Sequence, residues 1–447
     1  MELLVSRPAP AGTPVFAFLA FTSGSHEGAI IHDMRLANAF HERGFKVVVY
    51  WMMDRIPSLV ARGIPQRVLM RSLRYLPSRP SSLLEGASCI LDIFSQRTRR
   101  RFAYNHPGLV SRLLRNFLAE MCEEDADPAL VDRLERLMAA DGVTHLLPTF
   151  AMSCPLARAA RLRGRHRFEF LVTFQGEEIF ANYVADGRPL EDYYRQLRRT
   201  VDASPWPVAA VSADYARRLQ EEVGIDLHRM TPLYPGVELP APGDPPPSFE
   251  RLTAAMPNLK SDLPIVAYFG RQDAEKGIDL LLYAARMLQD RGHRFQLVVC
   301  GGASFGRHYH NACRQIARRL RLEVSWQRHT RDEVRAALYA HSRCIVYPSI
   351  HREPFGMVAP EAMAHGTPVL VPEHGGITEA VGIAGKTGGL TFRAWDSRDL
   401  ATQLERLLAD DALHARLAAD APAVARHFSV DAMADRTLEH LGLPLRP

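Results

Sequence analysis

Apolar residues recur along this chain in two rhythms. Residues 15–21 (VFAFLAF) form an unbroken apolar run and 46–51 (KVVVYW) a β-branched one, both the make-up of buried strands. Between them MRLANAFHERG carries apolar positions at helical spacing and stops at Gly44. A strand, a helix and a second strand in that order predict a parallel βαβ opening. The same alternation returns further on, with strands expected at 264–269 (PIVAYF), 295–300 (FQLVVC), 344–347 and 369–371, and amphipathic helices such as IDLLLYAARMLQDRG between them. The pattern therefore predicts an α/β protein of two doubly wound, Rossmann-like domains. In that layout the ligand lies at the carboxyl ends of the strands, in a central cleft between the domains.

Composition marks the boundaries. Residues 235–264 hold eight prolines, three of them consecutive at 245–247, too many for the interior of any element. We therefore expect an N-terminal domain over 1–234, a proline-rich linker over 235–263 and a C-terminal domain over 264–428. A last helix over 429–447 would be capped by Ser429, with Val430, Met433, Leu438 and Leu441 on one face, and would pack back on the N-terminal domain. A helical, arginine-rich insert is expected at about 55–140.

A chain of 447 residues with 47% hydrophobic content can bury full cores, which excludes disorder and collagen-like repetition. The six cysteines include no CxxC pair, as for buried thiols in a reducing compartment. No apolar run reaches the ~18 residues of a membrane span, and the first residues lack the apolar core of a signal peptide, so a cytoplasmic protein is expected. The net charge of +5 is unevenly distributed: segment 55–116 carries twelve Arg against Glu85 and Asp92, leaving the remainder near −5. Solvated arginines on an enlarged N-terminal domain explain that segment. The alternative is a basic amphipathic face lying on an anionic membrane, which would make the protein peripheral on its inner face. No nucleic-acid-binding module is present to favour nucleic acid.

The chemistry concentrates at 351–366, HREPFGMVAPEAMAHG. Pro360 is disfavoured in a helix interior, yet its neighbours are good helix formers. The conflict disappears if the helix starts near Gly356, where the first N–H groups have no intrahelical partner. The amides of Gly356, Met357, Val358 and Ala359 would then be open to an anion or to water. Glu353 would precede the helix and Glu361 lie one turn into it, two carboxylates able to accept hydrogen bonds from vicinal hydroxyls.

EPFGMVAPEAMAHGTPVL resembles the E-x7-E signature of retaining glycosyltransferases of family 4, which have the GT-B fold. The likeness continues in GRQDAEKGIDLLLYAARML (270–288), HGGITEAV (374–381) and PGVELP. It implies that Arg271 and Lys276 bind the diphosphate of a UDP- or GDP-linked sugar donor, that Glu353 holds the hexose and that Glu361 holds the ribose. It further implies retention by front-face attack, with the donor's phosphate taking the acceptor proton and with no metal or other cofactor. Lys276 is one of only four lysines in the chain, and it falls where a flexible ammonium is wanted. In the N-terminal half, SHEGAIIHDMRLANAFHERGFKVVVYW resembles the family's opening loop and helix, with Gly28 kept and Glu27 in place of a first glycine. TFQGEE (173–178) resembles the segment TxHG, with Gln175 where the histidine contacts the donor sugar. Glutamine can bond a hydroxyl but cannot titrate near neutrality.

Other signals have plainer readings. Asp125 and Asp127 could suggest a metal site, but Asp127 capping a helix that starts at Pro128 explains them locally. His308, His310 and Cys313 lack a fourth ligand for zinc. The stretch 326–329 (WQRH) reads as a loop, with a nucleobase contact as the alternative. Two other functions stay open: a sugar-nucleotide epimerase or hydrolase on the same fold, and a degenerate sugar-binding scaffold. The acceptor, whether glycan, glycolipid or small metabolite, is not legible.

Overall fold

The computed structural model describes residues 12–20, 28–52, 59–69, 126, 128–149, 153–180, 187–241, 243, 245–302, 308–328 and 330–447. The chain divides into two compact units, Met1–Gly236 with Met433–Pro447, and Val237–Ala432.

Unit 1 is built on a parallel sheet of β1 (Val15–Ala20), β2 (Lys46–Trp51), β3 (Gln66–Val68), β4 (His145–Pro148) and β5 (Glu169–Phe170), in the order β3-β2-β1-β4-β5. Three short parallel strands, β6 (Thr173–Phe174), β7 (Val208–Ala210) and β8 (Met230–Pro232), form a second sheet. The helix Gly28–Glu42 joins β1 to β2, as the opening pattern requires, and buries Ile30, Met34, Leu36, Ala37 and Phe40. Phe16, Phe40 and Phe45 pack ring against ring at 4.5–5.9 Å beneath it.

The helix Val430–His440 closes the chain, and Ser429 Oγ accepts from the amide of Ala432, the expected cap. Its later residues belong to unit 1, where Asp435 pairs with Arg43 at 2.7 Å and Met433 is buried. Within the expected insert, β3 and the helix Pro128–Asp141 are part of the α/β core: Arg67 pairs with Asp141 at 3.2 Å. Most of the arginine-rich segment, 53–58 and 70–125, lies outside the described residues, as do Glu27, Asp127 and the proposed cap.

Unit 2 contains β9 (Ile265–Phe269), β10 (Gln296–Cys300), β11 (Val324–Gln327), β12 (Ser342–Val346), β13 (Val369–Pro372) and β16 (Gly389–Phe392), all parallel, in the order β11-β10-β9-β12-β13-β16. A two-stranded antiparallel ribbon, β14 (Gly382–Ile383) with β15 (Lys386–Thr387), stands beside it. The helix Ile278–Asp290 buries Ile278, Leu281, Leu282, Ala285 and Leu288 along one face, and each buried leucine contributes ~2 kcal/mol of transfer free energy. The stretch expected as a linker is largely folded onto this unit. It carries the helix Phe249–Ala255, and His341 Nε2 lies 2.6 Å from the carbonyl of Pro247 while its ring meets Phe249 edge-on. The prolines terminate elements there without freeing the chain.

In unit 2 the first strand, β9, lies in the middle of the sheet with β10 on one side and β12 on the other. The winding reverses there, and the carboxyl ends of strands at such a reversal are where doubly wound sheets take their ligands. No helix among the described residues is long and apolar enough to cross a membrane. The two-domain α/β architecture is GT-B.

Candidate active site

The loops leaving β9 and β12 are packed backbone to backbone. The first passes through the short 3-10 turn Ala274–Lys276 into the helix Ile278–Asp290, and the carbonyl of Glu275 accepts the amides of Ile350 and His351 at 3.0 and 3.2 Å. Gly277, at φ +62°, allows this approach: a Cβ there would run into the carbonyl oxygen of Pro348.

That contact brings Lys276 to Glu353. The two side chains are 6% and 8% exposed, and Lys276 Nζ donates to Glu353 Oε1 at 2.5 Å. The ammonium also lies 5.6 Å from the centre of the Tyr347 ring. Burial alone would lower the pKa of Lys276, but the charge of Glu353, aided by Tyr347, outweighs it and raises it above the ordinary lysine value. Burial likewise pushes the Glu353 carboxyl up; Lys276, His351 and a hydrogen bond from Ser349 together overcome that and hold it low. Both partners are therefore charged at neutral pH.

Ser349 Oγ lies 2.6 Å from Glu353 Oε1, with the carbonyls of Glu275 and His351 at 3.0 and 3.1 Å. All three neighbours are acceptors, so the single hydroxyl proton goes to the charged one. The backbone of Glu353 is gripped as well: its carbonyl accepts from Gly376 N–H at 2.7 Å, and a Cβ on Gly375 (φ +85°) would stand 2.8 Å from its N and O. Oε1 is thus committed inside the protein.

Arg271 lies on the same loop, with its guanidinium on Asp273 at 3.0 Å and Glu275 at 2.8 Å and its side chain 43% exposed. Burial lowers its pKa, but Glu275 and Asp273 outweigh it, with smaller contributions from Tyr347 and Glu353, so Arg271 feels the Lys276–Glu353 pair. Gln272 beside it is 1% exposed, bonds the carbonyl of Gly301 at 2.5 Å and accepts from the His310 ring, fastening the loop after β9 to the one after β10.

The helix after β12 spans Val358–Ala364 and begins two residues later than expected, with Met357 as N-cap and Pro360 in its first turn. The run of open amides expected over Gly356–Ala359 is shorter by one, because Ala359 N–H donates to the carbonyl of Gly356 at 3.1 Å. Gly356, Met357 and Val358 stand at the helix entrance. Glu361 sits in the first turn and takes a hydrogen bond from the Tyr339 hydroxyl at 3.2 Å.

In unit 1, Gly28 is the exposed first residue of its helix. Gln175 follows β6, and its Nε2 donates to Asp33 Oδ1 at 3.0 Å and to the Thr149 carbonyl at 3.2 Å. Glu178 is fully buried, bonded by the Tyr215 hydroxyl at 2.6 Å and by Gly176 N–H at 2.9 Å. Burial raises its pKa in spite of these donors.

Among the described residues no group of three His, Cys, Asp or Glu is placed to hold a metal ion, the stretch His308, His310 and Cys313 included. Asp125 and His329 lie outside the described residues, and Trp326 ends against His310, ring to ring at 5.6 Å. Ser349, Tyr347, Gln272 and Asp33 went unnoticed in the sequence. For Ser349 a signal existed, a hydroxyl four residues before Glu353 at a strand exit. Asp33 and Gln175 are 142 residues apart, beyond any local pattern.

Residues 252–424 match the family model "Glycosyl transferases group 1". The match contains Arg271, Lys276, Glu353 and Glu361. Curated relatives include D-inositol 3-phosphate glycosyltransferase of Xylanimonas cellulosilytica, 33% identical over 244 residues, 52% of this chain and 55% of that one. The enzyme of the same name from Corynebacterium aurimucosum is 36% identical over 153 residues, 33% of this chain and 35% of that one. The chain thus spans about half the length, or less, of these two relatives. Among solved structures, Anabaena Alr3699/HepE in complex with UDP superposes with a TM-score of 0.67 at 18% identity, over 96% of this chain and 99% of that one. Sucrose-phosphate synthase from Thermosynechococcus elongatus does so with a TM-score of 0.68 at 20% identity, over 96% and 98%. At such identities the superpositions speak for the fold.

Proposed function

We propose that the protein is a retaining glycosyltransferase of family 4 that moves a hexose from a UDP- or GDP-linked donor to an acceptor hydroxyl. The observation that carries this reading is the buried Lys276–Glu353 pair at the point where the winding of unit 2 reverses. A charged lysine and a charged carboxylate, each fixed before any ligand arrives, suit a substrate with an anionic half and a hydroxylated half.

Lys276 gives one of its three N–H bonds to Glu353 and another to the Tyr347 hydroxyl, and the third is offered to a diphosphate oxygen. Arg271 adds a second positive charge from the same loop, and the amides at Gly356, Met357 and Val358 add donors. Glu353 Oε2 accepts a hydroxyl of the hexose, and Glu361 those of the ribose. In the transfer the acceptor oxygen bonds to the anomeric carbon as the bond to the donor phosphate breaks, and the acceptor proton passes to the departing phosphate oxygen. The charge that grows on the diphosphate meets cations already in place, so no reorganisation is needed at that moment. The reading requires no metal ion, because Arg271 and Lys276 supply the positive charge.

The test is a thermal-shift panel with UDP-glucose, UDP-N-acetylglucosamine, GDP-mannose, UDP and GDP, followed by transfer or slow hydrolysis of whichever sugar binds. One nucleotide sugar at a hundred times its Kd should stabilise the protein by ~2.7 kcal/mol. Glu361→Ala should weaken donor binding ~10-fold or more, as for a lost hydrogen bond to a charged group, while Lys276→Ala should lower turnover by ~100-fold with a smaller effect on affinity. A wild-type midpoint unmoved by all five compounds would end this reading.

A further inference from the structure

Gln175 stands where the family resemblance places a histidine, and its surroundings make the replacement specific. A primary amide has two N–H donors and one oxygen, and here both donors are used. Nε2 donates to Asp33 Oδ1 at 3.0 Å and to the Thr149 carbonyl at 3.2 Å. A carboxylate oxygen and a peptide carbonyl can only accept, so the amide cannot be turned over without setting oxygen against oxygen twice. Asp33 is in turn fixed by its neighbour: the two residues are each 4% exposed, and His32 Nδ1 lies 2.7 Å from the same Oδ1. An imidazole nitrogen facing a carboxylate carries the proton, which settles the ring's tautomer too.

The backbone is held by a second carboxylate. Glu178, fully buried, accepts from Gly176 N–H at 2.9 Å, from Gln175 N–H at 3.4 Å and from the Tyr215 hydroxyl at 2.6 Å. Two buried carboxylates thus converge on one partly exposed residue, one on its side chain and one on its main chain. What is left of Gln175 is Oε1, for which no hydrogen-bond partner is recorded among the described residues.

The geometry points to Asp33 as a positioning residue, keyed by His32, that holds Gln175 with its nitrogen inward so that unit 1 presents a single-purpose acceptor, Oε1, to a sugar hydroxyl. A histidine could turn a donor or an acceptor outward according to its tautomer; this carboxamide offers an acceptor at every pH. The group selected is a hydroxyl, and a phosphate or carboxylate oxygen presented at the same point would be repelled. This inference rests on the donor reading above, and the hydroxyl belongs either to the donor's hexose or to the acceptor.

The experiment compares the full-length wild type with Gln175→Ala, Asp33→Ala, Asp33→Asn and the double variant Asp33→Ala with Gln175→Ala. Calorimetry measures Kd for UDP-glucose and for UDP, with GDP-mannose and GDP as a second pair. Turnover with D-inositol 3-phosphate as acceptor probe gives its KM. If the hydroxyl is the donor's, Gln175→Ala and Asp33→Ala each weaken the nucleotide sugar about three- to tenfold, as for one lost neutral hydrogen bond, and leave the bare diphosphate unchanged. If it is the acceptor's, donor Kd stays and the acceptor KM rises by a similar factor.

In either case the double variant is no worse than Gln175→Ala alone, because Asp33 acts through Gln175. Asp33→Asn retains part of the effect, since its amide oxygen can still accept from Gln175. It also carries the test should Asp33→Ala not fold. Equal losses for UDP and UDP-glucose, or additive losses in the double variant, overturn the inference, as does a wild type and variants that bind and turn over alike. A wild type that binds none of the four nucleotides overturns the donor reading and this inference with it.

Discussion

At the scale of single residues, the candidate site depends on how the carboxylate of Glu353 is held. Glu353 gives Oε1 to Lys276 and Ser349, and the hydrogen bond from Ser349 is one of the contributions that hold its pKa down against burial. Ser349→Ala removes that contribution and leaves Lys276 in place. Glu353 then protonates at a higher pH than in the wild type, and a protonated carboxyl is a poorer acceptor for a hydroxyl. The acid limb of kcat/KM against pH should move upward, with little change at pH 8, where the carboxylate is charged in both proteins. Ser349→Thr keeps the hydroxyl and should return the limb towards the wild type; a limb unmoved in Ser349→Ala would mean that the Ser349 hydroxyl does not hold the Glu353 carboxylate in its charged form. Lys276, Glu353 and Glu361 could be picked out of the sequence because they stand in short, contiguous motifs. Asp33 could not be assigned, since its partner Gln175 lies 142 residues away and only the folded chain brings it near; Ser349 is four residues from Glu353, but a serine at a strand exit is too common a feature to single out.

Secondary-structure elements were legible where burial is symmetrical and the segment long enough to display a period. The strands β1, β2, β9 and β10 are buried along almost their whole length, and the helix Ile278–Asp290 repeats its apolar face over thirteen residues. By contrast β4, β11 and β16 have four residues each and β6 two, too few for alternation to be told from chance. The proline-rich stretch is a different case: proline density reports where elements stop, and it is silent on whether the chain between them packs. Loop-to-loop contacts such as that of Gly277 with Pro348 follow from strand order, which no single segment carries. Gly277→Ala tests what that contact does. The substitution combines a left-handed backbone (φ +62°) with a Cβ aimed at a carbonyl oxygen, so the loops after β9 and β12 must separate. Unit 2 should lose ~1–3 kcal/mol in thermal or urea unfolding, and turnover should fall as far as in Lys276→Ala, because Lys276 is the adjacent residue. Loss of stability with unimpaired turnover would separate Gly277 from the site.

For the molecule as a whole, pH tests how the buried histidines enter into stability. His145 begins β4 in the core of unit 1, 3% exposed, stacked on Trp206 and close to Phe16, with no hydrogen-bond partner for Nε2. Burial pushes its pKa down from 6.5 to about 4. The native state therefore keeps the ring neutral where the unfolded chain would protonate it, so the unfolded state binds more protons between those two values. The stability that neutral His145 allows is fully present above pH 6.5, is lost as pH falls from 6.5 towards 4, and falls no further below that. A shift of this size corresponds to ~3 kcal/mol. His440, also in unit 1, is lowered by burial and adds in the same direction, as do His365 and His414 in unit 2. Because the chain has two units, its unfolding need not be two-state, and the transition assigned to unit 1 is the one to follow. In His145→Phe the ring contacts survive and the titration does not. Its unit 1 midpoint should fall less steeply between pH 7 and pH 4 than that of the wild type, so the difference, wild type minus variant, should decrease as the pH drops, whatever its sign at pH 7. Parallel curves across that range would mean that His145 is already protonated in the folded protein or reaches solvent through motion, and the core of unit 1 would have to be looser than its packing indicates.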